Sequence, residues 1–163
     1  MPGAMTNDAA VAQAALMEFF AEYMDALDDE RFEAWPEFFA EKGVYKIVAR
    51  ENVDRDLPIA TWSCTSRAMM ADRVVAIRNA SVFSPRSMRH VGSILRVLGE
   101  EGGVISASLG FAVFETMQDE PTHVFMTGQY RAKIALTAEG PRFQELLAVY
   151  DTSLIPGLLV FPI

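Results

Sequence analysis

The side chains best suited to metal or redox chemistry are few in this sequence: two histidines, His90 and His123, and one cysteine, Cys64. A structural zinc site takes about four Cys or His ligands, and a Rieske iron–sulfur centre takes a Cys pair and a His pair. A mononuclear iron site would need His90 and His123 to converge with a carboxylate, and nothing in their spacing indicates that they do. We therefore predict no metal or other cofactor in this chain.

An acid–base pair is the arrangement that these residues could still form. Asp25 on a predicted helix and His90 on a predicted strand could share proton transfer if burial adjusted both pKa values. The alternative is that Asp25 lies at a solvated helix end beside Asp28 and Asp29, and that His90 is a hydrogen-bonded structural histidine. We favour this second interpretation, because one His and one Asp without known geometry are weak evidence for catalysis.

The stretch SPRSMRHVGSILRV, residues 84–97, is predicted as one strand and carries Arg86, Arg89 and His90. Arg86 and Arg89 could hold an anionic ligand through bidentate hydrogen bonds. In so acidic a chain, ion pairs at the surface or at an interface are the favoured interpretation. Because both faces of this strand carry apolar residues, the second face is expected to be covered within the fold or by another subunit.

An apolar stretch, LLVFPI at residues 158–163, gives the same indication, since an exposed apolar segment of this size is typical of a contact surface. We call residues 158–163 the C-terminal tail. The predicted partner interface consists of Arg86, Arg89, His90, Leu158, Leu159 and Phe161.

Hydrophobic periodicity predicts the elements that must position these residues. Apolar residues three and four apart predict helices, and alternation predicts strands. The predicted helices cover residues 8–27, 31–41 and 67–81, and the predicted strands cover 44–50, 84–97, 104–117, 123–136 and 142–154. Helices followed by long strands with short turns indicate an antiparallel sheet with helices on one face, which is an α+β roll.

Length and charge limit the remaining possibilities. The chain has 163 residues, a net charge of −8 and an isoelectric point near 4.7. The charge disfavours nucleic acid and anionic membranes as partners, and no apolar run reaches the ~18 to 20 residues of a membrane span. One cysteine and no secretory leader predict a cytoplasmic protein. We expect a loose N-terminal tail at residues 1–7 and one domain at residues 8–163.

Several passages, taken in order, resemble one known family. They are DDERFEAWPEFFAEKGVYKIVARENVDRDLPIA, MMADRVVAIR, SPRSMRHVGSILRV, VFMTGQYRAKI and LAVYDTSLIPGLLVFPI. Together they resemble the small (β) subunit of aromatic-ring-hydroxylating dioxygenases over residues 8–163. The passages YKIVARENVDRDLPIA and LAVYDTSLIPGLLVFPI are most similar to small subunits that serve aromatic carboxylates.

The resemblance implies a cone-shaped, cystatin-like α+β roll, as in ketosteroid isomerase, scytalone dehydratase and nuclear transport factor 2. It also implies an α3β3 assembly with three-fold self-association, whose large (α) subunit carries a Rieske [2Fe–2S] cluster and a mononuclear Fe(II). NADH would supply electrons through a reductase, and the chain itself would be a non-catalytic structural subunit of this oxidoreductase.

Two other functions stay open at this point, because one fold hosts many activities. One is a stand-alone dehydratase or isomerase of the same fold that uses Asp25 and His90 as its acid–base pair. The other is a binding module for a small aromatic ligand, which would need an open cavity; the many Phe and Met residues favour a filled one.

Overall fold

The computed structural model describes residues 7–80, 82–152 and 154–163, and side chains from residue 10 onward. Three α-helices, one 3₁₀ helix and seven strands occur in these ranges. In chain order they are α1 (Asn7–Asp28), the 3₁₀ helix (Trp35–Phe38), β1 (Phe39–Ala49), α2 (Arg50–Asp54), β2 (Trp62–Cys64), α3 (Arg67–Asn79), β3 (Arg86–Gly92), β4 (Arg96–Glu101), β5 (Val104–Met117), β6 (His123–Thr137) and β7 (Gly140–Tyr150).

The strands form one curved sheet in the order β2-β1-β7-β6-β5-β3, with β4 also paired to β5. The helices pack on this sheet, which confirms the predicted α+β roll. The prediction of a purely antiparallel sheet was wrong, because β1 pairs with β7 in parallel. All other pairings are antiparallel, so the sheet is mixed.

Helix α1 follows its predicted apolar stripe. Leu16, Phe20, Tyr23 and Leu27 lie on one face and are each at most 2% exposed, as residues three and four apart must on a helix. Helix α3 likewise buries Met70, Val74 and Ile77, and the Ser66 side chain caps it by accepting from the Met69 amide at 3.2 Å. Both helices confirm the sequence prediction.

The predicted second helix at residues 31–41 was too long. Only Trp35–Phe38 is helical, as a 3₁₀ helix with Pro36 in its first turn, and Phe39 begins strand β1. Phe39 pairs with Phe143 of β7 and is fully buried. Aromatic residues are common in strands, and the burial of Phe39 against β7 favours a strand over continued helix. The short elements α2 and β2 were not predicted.

The predicted single strand at residues 84–97 was also wrong, because β3 ends at Gly92 and β4 starts at Arg96. Both pair with β5, but Ser93 interrupts the ladder: its amide donates to the Gly110 carbonyl at 2.8 Å and its hydroxyl accepts from the Gly110 amide at 2.9 Å. After this break Leu95 is buried, and β4 is exposed along its whole length.

Strand β5 shows the predicted alternation, with Ile105, Leu109 and Val113 buried. On β6 the alternating residues at its centre, Tyr130 and Ile134, are fully buried, but Val124 and Leu136 are about half exposed or more. A register shift opposite Val113 and Phe114 turns the start of β6, so that Phe125 is buried in place of Val124.

Aromatic rings fill the space between α1, the 3₁₀ helix and the sheet. Tyr23 has its ring centroid 5.5 Å from that of Phe143, and Tyr130 stacks on Phe111 at 4.4 Å. Cys64 is fully buried. None of the helices in the described residues has the length and apolar character needed to cross a membrane.

Candidate functional site

The histidine singled out by the sequence, His90, forms a buried pair with Asp28. The side chains are 1% and 2% exposed, and His90 Nδ1 lies 2.6 Å from Asp28 Oδ1. The His90 backbone amide also donates to both carboxylate oxygens at 3.0 Å. An ionised carboxylate can only accept, so Nδ1 carries a proton in this pair.

Arg89 adds a further contact to the same carboxylate. Its Nη1 donates to Asp28 Oδ2 at 3.2 Å, although 68% of the Arg89 side chain is exposed. Asp28 therefore ties the end of α1 to strand β3 through two neighbouring residues. A carboxylate that accepts several charge-assisted or backbone hydrogen bonds is held rigidly in place.

The acid–base interpretation, which was the less favoured one, paired His90 with Asp25, and the structure places Asp28 there instead. Asp25 is exposed on α1 and follows the equally exposed Glu22 by three residues, so that both lie on the outer side of the helix. Asp28 follows Met24 by four residues and so continues the apolar stripe. That spacing was the signal in the sequence that identifies Asp28 as the inward-facing carboxylate.

Three buried polar side-chain atoms have no hydrogen-bond partner among the described residues: Trp35 Nε1, His90 Nε2 and the Tyr130 hydroxyl. Burial, together with the nearby Tyr45 and Asp28 groups, raises the pKa of the Tyr130 hydroxyl well above its usual value. Tyr130 therefore stays protonated and can donate or accept a hydrogen bond, but it is not a base near neutral pH.

A second buried cluster was not found from the sequence. Glu115 of β5 is 2% exposed; its Oε1 accepts from Arg86 Nη1 at 2.7 Å and its Oε2 lies 3.2 Å from His123 Nε2. The Arg86 side chain is 6% exposed and also donates to the Leu158 carbonyl at 3.3 Å. Glu115 extends the alternating inward face of β5 by one position beyond Val113, which was the available signal for its burial.

The C-terminal tail is anchored inside the fold by two tyrosines. The Tyr23 and Tyr45 hydroxyls donate to the Ile163 carbonyl oxygen at 2.7 and 2.9 Å, and the Ile163 amide donates back to Tyr45 at 2.7 Å. Burial raises the pKa of both hydroxyls, so they stay protonated as donors. Phe161 packs between Phe32 and Phe83, with ring centroids at 4.8 and 5.0 Å.

These contacts reduce the number of predicted interface residues that are accessible to a partner. Arg86, His90 and Phe161 are engaged within the chain, and their side chains are not presented to a partner. Leu158 is 62% exposed and Leu159 is partly exposed. Of the six residues, Leu158, Leu159 and Arg89 are therefore the ones accessible at the surface.

In the described ranges, no three His, Cys, Asp or Glu side chains come together as a metal-binding group. His90 and His123 bind different carboxylates, Asp28 and Glu115. The fully buried Cys64 accepts from Trp62 Nε1 at 3.4 Å, and burial raises the pKa of its thiol, which disfavours the thiolate that metals and electrophiles need.

The fold and sequence define the class of this protein. The profile of the SnoaL-like domain matches residues 8–146, and the chain belongs to this family of α+β rolls. The anthranilate 1,2-dioxygenase small subunit of Burkholderia cepacia is 35% identical over 141 residues, which cover 86% of this chain and 88% of that one.

Further relatives specify the family within that class. A terephthalate 1,2-dioxygenase beta subunit from Comamonas sp. is 29% identical and covers 89% of this chain and 94% of its own. A crystal structure from Novosphingobium aromaticivorans, described as the beta subunit of an aromatic-ring-hydroxylating dioxygenase, superposes with a TM-score of 0.87 at 37% identity over 95% of this chain and 98% of that one. The chain is a member of the small (beta) subunits of aromatic-ring-hydroxylating dioxygenases.

Proposed function

We propose that this chain is a non-catalytic scaffold that assembles with a large subunit into an α3β3 oxygenase component. The observation that supports this role is that the histidine-containing polar groups, Asp28–His90 and Arg86–Glu115–His123, connect elements of the chain to one another. Buried polar contacts of this kind hold the elements that they join in one specific arrangement. The large subunit would hold the Rieske [2Fe–2S] cluster and the mononuclear Fe(II), and a reductase would deliver electrons from NADH.

The substrate class follows from the relatives. Anthranilate and terephthalate both carry a carboxylate on an aromatic ring. We propose that the complex hydroxylates an aromatic carboxylate, with recognition in the large subunit. The single buried thiol of Cys64 fits a reducing compartment such as the cytoplasm.

Assembly provides the direct test. Co-expressed with its large subunit, the chain is expected to elute in a hexamer with three-fold symmetry, with interfaces above the ~1,200 Å² of specific contacts. Iron and acid-labile sulfide should be found in the hexamer and not in the purified small chain. A small chain that stays monomeric beside a folded, active large subunit would contradict the proposal.

A second candidate function is acid–base catalysis by Asp28 and His90. It is favoured by one observation: among the described residues, the buried Nε2 of His90 has no hydrogen-bond partner, while Nδ1 binds a carboxylate. A general base is oriented in this way. A dehydratase or isomerase would use Nε2 to remove a proton from a substrate held in the interior.

The variant His90→Ala separates the two roles. If His90 is structural, the loss of its hydrogen bonds should lower the free energy of unfolding by about 1–3 kcal/mol, while turnover per intact hexamer, normalised to iron, stays within about threefold. If it is a general base, turnover should fall about 100-fold or more with normal melting and size-exclusion behaviour. His123→Ala serves as the control, since it removes the chain's other histidine, which is 36% exposed.

A further inference from the structure

A groove of about 430 Å³ lies between α3 and the C-terminal tail. Its walls are mostly apolar and include Trp62, Ile77, Val82 and Leu158, and Arg73 is the one charged residue among the described residues that line it. The groove is separate from the Asp28–His90 pair and from the Glu115 cluster, none of whose residues line it.

Arg73 has an unusual electrostatic position for an arginine of this chain. Its guanidinium carbon lies 5.5 Å from the centroid of the Trp62 ring. Eight of the eleven arginines form an ion pair with a carboxylate, whereas Arg73 forms none within the described ranges. In a chain of net charge −8, a guanidinium oriented by an indole ring beside apolar walls is complementary to a carboxylate.

The rim of the groove is apolar and exposed. Val82 is 95% exposed and Leu158 is 62% exposed. A small ligand inside the groove would leave these two side chains in water, whereas a protein segment lying across it would cover them. Arginine and tryptophan in a pocket surrounded by apolar contacts are also the residue types that contribute most of the binding energy at protein interfaces.

We propose that this groove is where the large subunit docks, through a segment that presents an apolar side chain next to a carboxylate. The apolar side chain fills the space beside Ile77 and Trp62, and the carboxylate pairs with Arg73. The proposal rests on the proposed function, because it identifies the surface used by the partner of that assembly.

The test measures the dissociation constant between the small chain and its large subunit for charge-altering variants. Arg73→Glu should raise it at least about thirtyfold, because a paired charge is replaced by a repelling one. Val82→Asp should raise it at least about tenfold by placing a carboxylate on the rim. The matched control is Arg96→Glu on β4, an exposed arginine without an ion pair in the described part of the chain, which should change it less than about threefold.

Each outcome decides the proposal. Melting of the isolated variants shows that they are folded, and Val82→Asp alters an almost fully exposed residue, so that one variant at least tests the folded state. If the parent hexamer forms and both variants bind like the parent, the docking site is wrong while the proposed function stands. The docking site is also wrong if Arg96→Glu weakens binding as much as Arg73→Glu. If the parent chain forms no complex, the proposed function and the docking site both fail.

A titration of the isolated chain with benzoate, followed by the fluorescence of Trp62, tests whether a small carboxylate occupies the groove instead. The second tryptophan, Trp35, is fully buried, so a change that disappears in Trp62→Phe reports on the groove. No binding at millimolar benzoate is expected. Saturable binding that Arg73→Gln abolishes would assign the groove to small carboxylates and overturn the docking proposal.

Discussion

Replacing Glu115 with alanine is expected to lower the free energy of unfolding by about 3–5 kcal/mol, because it leaves a buried guanidinium without its counter-ion. Arg86 is 6% exposed, and its other acceptors are the Ser84 and Leu158 carbonyl oxygens at 3.3 Å. Those carbonyls cannot neutralise its charge. Chemical denaturation with urea, monitored by circular dichroism, measures the change.

Two comparisons test whether burial is the cause. Glu145→Ala breaks the exposed pair with Lys133, in which the side chains are 34% and 58% exposed, and should cost about 0–1 kcal/mol. Arg86→Met combined with Glu115→Leu removes both charges and should recover most of the loss. A Glu115→Ala protein within about 1 kcal/mol of the parent would contradict the assignment of a buried ion pair.

The elements that the sequence predicted well are those in which a long periodic pattern agrees with the tertiary contacts. Helix α1, helix α3 and strand β5 each bury the face that their spacing indicates. The sequence prediction was wrong where a shift of one residue changes which face of a strand is buried. The Ser93 interruption between β3 and β4 and the shift at the start of β6 depend on backbone pairing with β5, which no local pattern encodes.

The sequence indicated which types of residue form the site but not which residues contact one another. His90 was interpreted as a hydrogen-bonded residue, but the one carboxylate proposed to face it, Asp25 of the acid–base alternative, lies one helical turn away from its actual partner, Asp28. Glu115 was overlooked, because an acidic residue at the end of an apolar strand is most simply interpreted as solvated. Its burial depends on Arg86, which is 29 residues distant in the sequence and reaches it only through the β3–β5 pairing.

The tail illustrates a different limit of sequence reasoning. Its apolar composition predicted a contact, but composition alone does not distinguish a contact with another subunit from one with the chain's own core. The structure divides the tail: Phe161 and Ile163 are buried within the fold, whereas Leu158 remains exposed. The tail therefore contains both a residue that is exposed for a partner contact and the residues that anchor it in the fold. Folding of the tail positions the wall of the groove.

Replacing Phe161 with alanine is expected to cost about 3–5 kcal/mol of unfolding free energy, the range for truncating a buried phenylalanine. Phe161 is 5% exposed and lies between the rings of Phe32 and Phe83. The cavity would lie next to the point where Tyr23 and Tyr45 hold Ile163, so part of the cost would come from loosening those hydrogen bonds. Thermal and urea unfolding of the isolated chain measure the effect.

The control in the same segment is Leu158→Ala. Leu158 is 62% exposed, and substitutions at such positions usually stay within about 0.5 kcal/mol. If the tail is an integral part of the core, Phe161→Ala should lower the unfolding midpoint strongly and Leu158→Ala should not. Equal small effects from both would mean that the tail is not packed against Phe32 and Phe83 in solution. Leu158 also lines the groove between α3 and the C-terminal tail. A Leu158→Ala chain of parental stability that binds the large subunit less tightly would therefore separate the anchoring role of the tail from its contact role.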